Sequence, residues 1–321
     1  MDLIYTDKNR RDVGVLKDYI LDLAFGVDEN DFELTINLNQ HCCDVGCLIY
    51  AENTDYGGII DGLNIVTKED KLVYKGRTWQ GILASKIIEP ETDKAYLTVS
   101  GEANKVIGEL LVTLGLTNLF MASTEISGVT INSYSFDRYI DAYSGISKML
   151  ESVSAKLKFS FNGNMVVISV KPAVDYSVDE LFDSDLVEMD IQKMSNTVNH
   201  LICLGKGELT DRIVIHLYAD EEGNISQTQT FYGMQEVTAV YNNSNVESTE
   251  ELVKQGEEKF KEYMTSNSVQ LNFAAEDDIY DVGDIVGAIE VITNTVTAER
   301  ITKKIMTITR NEVNIEYKVG E

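Results

Sequence analysis

The sequence is poor in the residues that catalysis, crosslinking and rigid turns most often use. Its 321 residues include three histidines, four cysteines, two prolines and one tryptophan. Four cysteines in so long a chain do not make the disulfide framework that stabilises small secreted domains. The scarcity of proline, together with abundant Thr, Val, Ile, Ser and Asn, favours β-strands.

Basic residues are also scarce. The chain has 27 Lys and Arg against 53 Asp and Glu, which gives a formal net charge of −26 and a pI near 4.4. Affinity for nucleic acid comes largely from cationic side chains that release counterions from phosphates, and anionic membrane surfaces attract the same groups. We therefore expect neither specific nucleic-acid binding nor membrane insertion.

Long apolar runs are missing as well. No stretch approaches the roughly 18 to 20 apolar residues that a membrane helix needs. The first residues, MDLIYTDKNRRDVG, carry charge where a signal peptide has an apolar stretch, so we expect the chain to be made and kept in a cytosol. With 44% hydrophobic and 25% charged residues, the composition is typical of a folded protein. The length of 321 residues suits about two domains, or one with insertions.

Few residues qualify as catalytic groups. General-base catalysis most often uses histidine, and the chain offers only His41, His200 and His216. None belongs to a recognisable motif, and His200 and His216 lie in strand patterns, which favours packed or surface histidines. Adjacent carboxylates such as Asp277 and Asp278 are too common here to indicate a glycosidase. We predict no catalytic site and no cofactor.

The segment HCCDVGC concentrates candidate ligands for a soft or borderline metal: His41, Cys42, Cys43, Asp44 and Cys47. In a strand, Cys42 and Cys43 would point to opposite faces. Structural zinc sites usually draw cysteine pairs from two places, and Cys203 is single. We therefore predict buried or half-buried free thiols here and no metal.

Trp79 is the single tryptophan, and it precedes an apolar run in KGRTWQGILASKIIEP. This position favours a packing anchor. The alternative is stacking on a sugar, which needs an exposed indole.

Residues 1–89 contain short β-segments separated by turns. In FELTINL, the apolar residues Phe32, Leu34, Ile36 and Leu38 alternate with the period of a half-buried strand. The segment VGVLKDYILDLAFG suits a helix and a strand equally, and its periodicity leaves both open.

Residues 90–172 have a different pattern, which predicts a compact α/β unit between Pro90 and Pro172. One helix is predicted to be capped by Ser100 and ended by Gly115. A second helix is predicted over residues 138–155, and Asn162-Gly163-Asn164 predicts a hairpin turn.

Residues 173–321 begin with an acidic stretch that we interpret as a solvated connector; its acids are Asp175, Asp179, Glu180, Asp183, Asp185, Glu188 and Asp190. Strands follow, with a hairpin turn at residues 221–224. Ser248 and Glu251 have the spacing of a capping box, which predicts a helix around residues 248–265. A final meander turns near Asn311.

The predicted fold class is therefore α+β and β-rich. We predict two related β-barrel domains, at residues 1–89 and 173–321, separated by an α/β insert at residues 90–172. Later strands are expected to complete the first barrel, and the second barrel carries the predicted helix.

Several segments spread along the chain combine glycine turns, strand patterns and packing aromatics. They are LKDYILDLAFGVDENDFELTINL, YGGIIDG, LVYKGRTWQGILASKIIEP, YLTVSGEANKVI, AYSGISKMLESVSAKLKF, NHLICLGKGEL, DRIVIHLYADEEGNISQTQTF and YDVGDIVGA. Through them nearly the whole chain resembles the tail hub proteins of phages, prophages and phage-tail-like particles of Gram-positive bacteria. Motifs of this kind specify a fold and not a reaction. The segment HCCDVGC departs from the pattern of that family, which leaves both a loop and a strand open for it.

The resemblance implies a structural baseplate hub with no catalysis of its own. Such a hub is usually trimeric, and its two tube-like barrels per copy let three copies form a ring that mimics six-fold symmetry. The implied partners are the hexameric tail tube, the trimeric central spike, other baseplate proteins and the tape-measure protein. The implied location is the bacterial cytoplasm during assembly and then the tail of the released particle. The acid surplus further predicts an acidic channel wall that repels an anionic cargo.

Two other functions are open at this stage. One is a cell-wall-degrading tail enzyme, because hubs can carry fused peptidoglycan hydrolases. The other is a glycan-binding receptor module, which would need exposed aromatic side chains clustered on one face.

Overall fold

The computed structural model describes residues 1–162, 164–178, 181–183, 187–192, 198–220, 223–264, 268–275 and 278–320. The chain forms two compact units, one of Met1–Met189 with Gln270–Glu321 and one of Asp190–Val269. The described residues form 24 strands and four α-helices, which confirms the predicted β-rich α+β class. The domain bounds and the barrel form of the two β-rich parts stay predictions.

The first 89 residues form β1 (Leu3–Thr6), β2 (Asp12–Leu16), β3 (Ile20–Gly26), β4 (Asp31–Asn37), β5 (Leu48–Tyr50), β6 (Gly57–Val66), β7 (Lys71–Thr78), α1 (Trp79–Ala84) and β8 (Ile87–Ile88). The segment with two open readings is therefore a pair of strands. In β3, the buried Leu21 and Leu23 alternate with the exposed Ile20 and Asp22. The two-residue period of a strand with one buried face therefore applies here, and the helical period does not.

The alternation predicted for FELTINL holds over β4. Phe32, Leu34 and Ile36 are buried. Leu38 was predicted to continue this face, and that was wrong: it begins a short 3-10 helix, Leu38–Gln40, and is only half-buried. The chain turns there towards the segment at residues 41–47.

Residues 90–172 form β9 (Thr98–Glu102), α2 (Ala103–Thr113), β10 (Phe120–Ala122), β11 (Thr130–Ser135), β12 (Ile140–Asp141), α3 (Ala142–Glu151), β13 (Ala155–Asn162) and β14 (Met165–Pro172). The predicted cap at Ser100 was wrong, because β9 continues through that residue. Glu102 caps α2 instead, and its carboxylate accepts the Lys105 N–H at 2.9 Å. Gly115 ends the helix as predicted, with a φ of +68°.

Helix α3 is shorter than the predicted range of 138–155. Asp141 is its N-cap and accepts the Ser144 N–H at 2.9 Å. At the other end, Ser154 has a φ of +51°, which a helix does not contain, and Ala155 already begins β13. The hairpin predicted next is present, with Asn162 opposite Met165, while Gly163 lies outside the described residues.

The remaining elements are β15 (Leu181–Asp183), β16 (Glu188–Gln192), β17 (His200–Leu204), β18 (Val214–Ala219), β19 (Ile225–Ser226), β20 (Thr238–Asn242), α4 (Thr249–Met264), β21 (Ser268–Ala275), β22 (Ile285–Glu290), β23 (Thr295–Thr309) and β24 (Val313–Val319). The turn near Asn311 is present between β23 and β24. In β24, Ile315, Tyr317 and Val319 are buried on one face.

One large sheet dominates the first unit. Its strands include the run β21-β24-β23-β3-β4-β7-β6-β5-β1-β2. Strand β23 pairs antiparallel with β3, so a late strand extends the sheet of the first segment. Beside this sheet, β10, β14 and β13 form a small sheet against which α2 and α3 pack. A single core joins Trp79 and Tyr50 of the first segment to the buried faces of both helices.

The second unit has a sheet of order β19-β18-β17-β20, with α4 packed on one face. Leu252, Gly256 and Phe260 of α4 are buried, whereas Tyr263 is 38% exposed. The Glu251 N–H donates to Ser248 Oγ at 3.4 Å at the start of the helix. The predicted turn joins β18 to β19, and its Glu221 and Glu222 lie outside the described residues.

The acidic stretch is more structured than a connector. Strand β15 pairs in parallel with β22, and Asp175 bridges to Ile285. Asp175, Glu188 and Asp190 are exposed, as predicted, and Asp183 is half-buried. The other three acids, Asp179, Glu180 and Asp185, lie outside the described residues. In the part of the chain that the structure describes, no helix is long and apolar enough to cross a membrane.

Candidate functional site

The motif YDVGD, at residues 280–284, forms a turn that binds a buried lysine. Lys156 of β13 places its Nζ atom 2.7 Å from Asp281 Oδ2 and 2.7 Å from both Asp284 carboxylate oxygens. The Asp284 carboxylate also accepts the Val174 N–H at 2.8 Å and the Asp281 N–H at 2.9 Å. We call Lys156, Asp281 and Asp284 the buried ion cluster.

Glycine is required inside this turn. Gly283 has a φ of +102°, and a Cβ atom there would lie 2.9 Å from Cβ of Lys156. A side chain at this position would therefore push β13 away from the turn. The close approach lets Lys156 reach both carboxylates without exposure to solvent.

The charges of the buried ion cluster stabilise one another. Burial by itself raises the pKa of Asp281, but hydrogen bonds from Lys156 and Lys158 outweigh it and hold that pKa below its usual value. Burial likewise lowers the pKa of Lys156, and the two aspartates reverse this and raise it. The cluster thus fixes β13 of the insert to the turn before β22 as an ion pair.

A second buried lysine lies nearby in the same unit. Lys304 of β23 is 1% exposed, pairs with Asp278, and lies 5.3 Å from the ring centre of Tyr56 and 5.5 Å from that of Tyr317. Tyr56 also donates a hydrogen bond to Asp278. Burial raises the pKa of Asp55, an effect that Lys304 partly offsets. These contacts link Lys304 of β23 and Asp278 to Tyr56, the first residue of YGGIIDG.

The open face of the large sheet contains a concavity of about 700 Å³. Among its lining residues, two are basic, Lys75 and Arg77, and five are acidic: Asp22, Glu29, Asp31, Glu33 and Asp61. We call these five residues the acidic face. Asp22, Asp31 and Glu33 lie there because alternation along β3 and β4 turns the apolar residues of those strands to the core. Glu29 lies in the turn between the two strands, and Asp61 lies on β6.

Most acids of this face have a partner. Arg77 binds Asp61 through two contacts of 2.7 Å, Lys75 pairs with Glu33, and Lys303 lies 2.5 Å from Glu29. Thr307 donates to Asp22 at 2.8 Å. Asp31 differs, because partial burial and then the neighbouring acids Glu29 and Glu33 raise its pKa.

The structure brings two of the three histidines together. His200 Nε2 lies 2.8 Å from His216 Nδ1, and His200 Nδ1 lies 2.6 Å from Glu236 Oε1. The register places Ile202 opposite His216, so the two imidazoles meet diagonally across β17 and β18. Tyr218 stacks on His200 at 4.4 Å. Both histidines lie in strands, as their sequence patterns predict, but those patterns do not indicate that the two side chains meet.

The HCCDVGC segment, for which both a loop and a strand were open, forms a loop. The divergence expected of a strand therefore does not apply, and the Sγ atoms of Cys42 and Cys43 are 3.4 Å apart. Cys42 is half-buried and Cys43 is buried, and both are free thiols, as predicted. His41 Nδ1 lies 2.8 Å from the Tyr74 hydroxyl. Among the residues that the structure describes, no group of three or more His, Cys, Asp or Glu side chains has a geometry suited to a metal ion.

Trp79 is a packing residue. It is 0% exposed and stacks on Phe161 with ring centres 5.7 Å apart. Gly57 of YGGIIDG lies against the indole, since a Cβ atom there would be 2.6 Å from Trp79 Cζ2. An indole enclosed in this way is not available to stack on a sugar.

Similarity to known proteins is found in structure and not in sequence. No family model matches the sequence, and no curated protein matches it. The 43 kDa tail protein of prophage MuSo2 from Shewanella oneidensis aligns with a TM-score of 0.55 and 10% identity, over 99% of this chain and 98% of that one.

Two other solved structures align over a similar extent. A tail protein from Neisseria meningitidis has a TM-score of 0.52 and 13% identity, over 100% of this chain and 96% of its own. A prophage tail protein from Listeria monocytogenes has a TM-score of 0.52 and 10% identity, over 99% and 94%. At this level of identity the likeness establishes the fold. The expected resemblance is confirmed to that extent, and the chain has the fold of phage and prophage tail proteins.

Proposed function

We propose that this protein is the baseplate hub of a phage tail or phage-tail-like particle. In this proposal three copies form a ring that connects the hexameric tail tube to the trimeric central spike. The observation that carries it is the extent of the structural likeness, which covers 99 to 100% of this chain and 94 to 98% of three tail proteins. Both units therefore take part in the likeness.

Two tube-like β-domains per copy are needed to match a six-fold tube with three chains. The pairing of β23 with β3 supports the expectation that late strands complete the first barrel. Ring closure would then consume sheet edges that are otherwise prone to aggregate. The partners in this arrangement are the tube protein, the spike, other baseplate proteins and the tape-measure protein, first in the bacterial cytoplasm and later in the released particle.

We further propose that the acidic face lines the channel. With Lys303, which pairs with Glu29, three bases face the five acids of the concavity, which leaves a negative surplus in keeping with a net charge of −26. Such a wall acts on an anionic cargo over about 8 Å at physiological salt, which is a large part of the radius of a narrow channel.

No enzymatic activity is part of the proposal. Paired histidines activate a nucleophile when the free ring nitrogen of the last imidazole faces a hydroxyl or thiol group. Here hydrogen bonds link Glu236 to His200 and His200 to His216, and the last imidazole, that of His216, is exposed. We expect pure protein to release no sugar or peptide fragments from purified cell wall. Release that is lost in a His216→Ala variant would instead favour the cell-wall enzyme.

The tail location can be tested on released particles. Antibodies against the protein, coupled to gold, are expected to label one end of the tail, where the tube meets the spike. Labelling along the whole tube, or on fibres away from the axis, would contradict a hub. Fibre labelling would favour the glycan-binding receptor module.

A further inference from the structure

The loop at residues 41–47 places two neighbouring thiols in contact. Sγ of Cys42 lies 3.4 Å from Sγ of Cys43, and neither is in a disulfide. Contact between adjacent cysteine side chains requires a particular loop conformation, because the same residues in a strand would diverge. The two thiols can react with each other only if the rest of the fold keeps the loop in that conformation.

Tyr74 of β7 holds the loop. Its hydroxyl oxygen accepts the Cys43 N–H at 3.2 Å and the Cys42 N–H at 3.4 Å, and it lies 2.8 Å from His41 Nδ1. Tyr74 is 0% exposed, so its ring is fixed in the core beneath the loop. The two thiols are therefore kept together by the sheet.

We propose that Cys42 and Cys43 form a peroxide-reactive dithiol that closes to a disulfide between these adjacent residues. In the first step, the Cys42 thiolate attacks one oxygen of hydrogen peroxide, the O–O bond breaks, and sulfenic acid and hydroxide form. In the second step, Cys43 sulfur attacks Cys42 sulfur, the S–O bond breaks, and water leaves with the Cys43 proton. In total, two thiols lose two hydrogen atoms and one peroxide becomes two waters.

Exposure and charge assign the two roles. Cys42 is half-buried and can meet peroxide, whereas Cys43 is 3% exposed. The hydrogen bond between the two thiols lowers the pKa of Cys42 and raises that of Cys43, which favours the thiolate at the more accessible sulfur. Reactive thiols of this kind are accessible, have a low pKa, and lie beside a resolving cysteine.

The other two cysteines serve as internal references. Cys47 is 5% exposed and Cys203 is 0% exposed. Burial raises the pKa of Cys203 to about 11, which leaves it protonated at neutral pH. We therefore expect both to keep their thiols under mild peroxide.

The product is expected to be reversible. Adjacent Cα atoms lie about 3.8 Å apart, whereas ordinary disulfides span roughly 4.4 to 6.8 Å between Cα atoms. A bond closed at the shorter distance is strained, and strained disulfides are reduced more readily. The pair would open in a reducing cytosol and close on exposure to peroxide.

The test uses the full native chain with hydrogen peroxide near stoichiometric amounts. We expect free thiols to fall from four to two and the chain to remain monomeric on a non-reducing gel. The tryptic fragment of residues 18–68, which holds Cys42, Cys43 and Cys47, should become lighter by two hydrogen atoms. Its fragmentation should place the bond between Cys42 and Cys43, and mild dithiothreitol should reverse the change.

Two single substitutions separate the roles. Cys43→Ser should lose the disulfide and let dimedone label Cys42 as sulfenic acid. Cys42→Ser should keep its remaining thiols, and Cys47→Ser should react like the unchanged protein. Circular dichroism checks that each variant is folded.

Several outcomes would overturn the proposal. They are retention of all four thiols, a bond that includes Cys47 or Cys203, and direct oxidation of Cys42 to sulfinic acid while Cys43 is present. The measurement is made on the isolated protein, so it is independent of the proposed place in a tail.

Discussion

Lys156 joins the α/β insert to the turn before β22 through three oxygen contacts in a buried setting. Removing one partner of a buried ion pair leaves uncompensated charge. We predict that Lys156→Met lowers the free energy of unfolding by about 3 to 5 kcal/mol. Urea denaturation followed by circular dichroism measures this value.

The matched control lies on the same strand. Lys158 also pairs with Asp281, but its side chain is 39% exposed. Lys158→Met should cost only about 0 to 1 kcal/mol, as partly exposed pairs do. Equal losses in the two variants would mean that burial of Lys156 does not determine its contribution.

The pH dependence of stability follows from Asp281. Its pKa is held below its usual value in the folded state, so its ionised form stabilises the fold above about pH 4, the range of an unfolded aspartate. That contribution is lost as the pH falls through the folded pKa. We predict a shallower acid-side loss of stability in Asp281→Asn than in the unchanged protein.

Urea denaturation at a series of pH values below neutrality checks this slope. Asp70→Asn is a suitable control, because Asp70 is exposed and its φ of +49° is one that asparagine adopts readily. The control should follow the unchanged protein. An unchanged slope in Asp281→Asn would contradict the role of its ion pair.

At the scale of elements, helix α1 is anchored by a single aromatic side chain. Trp79 begins the helix and stacks on Phe161 of β13, so it ties the first segment to the insert. We predict that Trp79→Ala lowers the free energy of unfolding by about 3 to 5 kcal/mol, the usual range for a large buried side chain.

Thermal or urea unfolding tests this, with Val112→Ala as the comparison. Val112 is 68% exposed on α2, and its truncation should change stability by no more than about 0.5 kcal/mol. A small effect of Trp79→Ala, or quenching of Trp79 fluorescence by added oligosaccharide, would argue against a purely packing role.

The sequence pattern correctly predicted the elements that depend on neighbouring residues alone. The alternation of Phe32, Leu34 and Ile36 fixed the faces of β4, and Gly115 ended α2 where its left-handed φ permits. The cap at Ser100 failed because pairing of β9 with β11 extends the strand to Glu102. The residues around Ser100 carry no signal for that pairing, because β11 lies about 30 residues further along the chain.

The contacts that form the sites could not be predicted from the sequence, because they also join residues that are far apart along the chain. Lys156 and Asp284 are 128 residues apart, and the pair formed by His200 and His216 depends on the register of two strands. Lys156 occupies a polar position in the alternating pattern of β13, and the glycine of YDVGD by itself indicates only a turn, so neither residue indicates a buried ion pair. The thiol contact of Cys42 with Cys43 could not be predicted because the sequence left both a loop and a strand open for this segment, and only a loop brings the two sulfurs together.

At the scale of the whole molecule, the distribution of the acidic side chains shows whether they repel cargo in a channel or serve only to keep the protein in solution. If the acidic face lines a channel, the lumen of an assembled ring should have more acidic than basic side chains, with Asp31 and Glu33 among them. Acids that serve only solubility would be spread over the outside. Counting the charged side chains that line the lumen settles this, and a neutral or basic lumen would leave solubility as the explanation.

The most direct test of the proposed hub is a cryo-EM reconstruction of the intact particle. It gives both the copy number of this chain and its position relative to the tail axis. We predict three copies in a closed ring on the axis, between the last ring of the tube and the spike. Six copies, a single copy, or a position away from the axis would contradict the proposal.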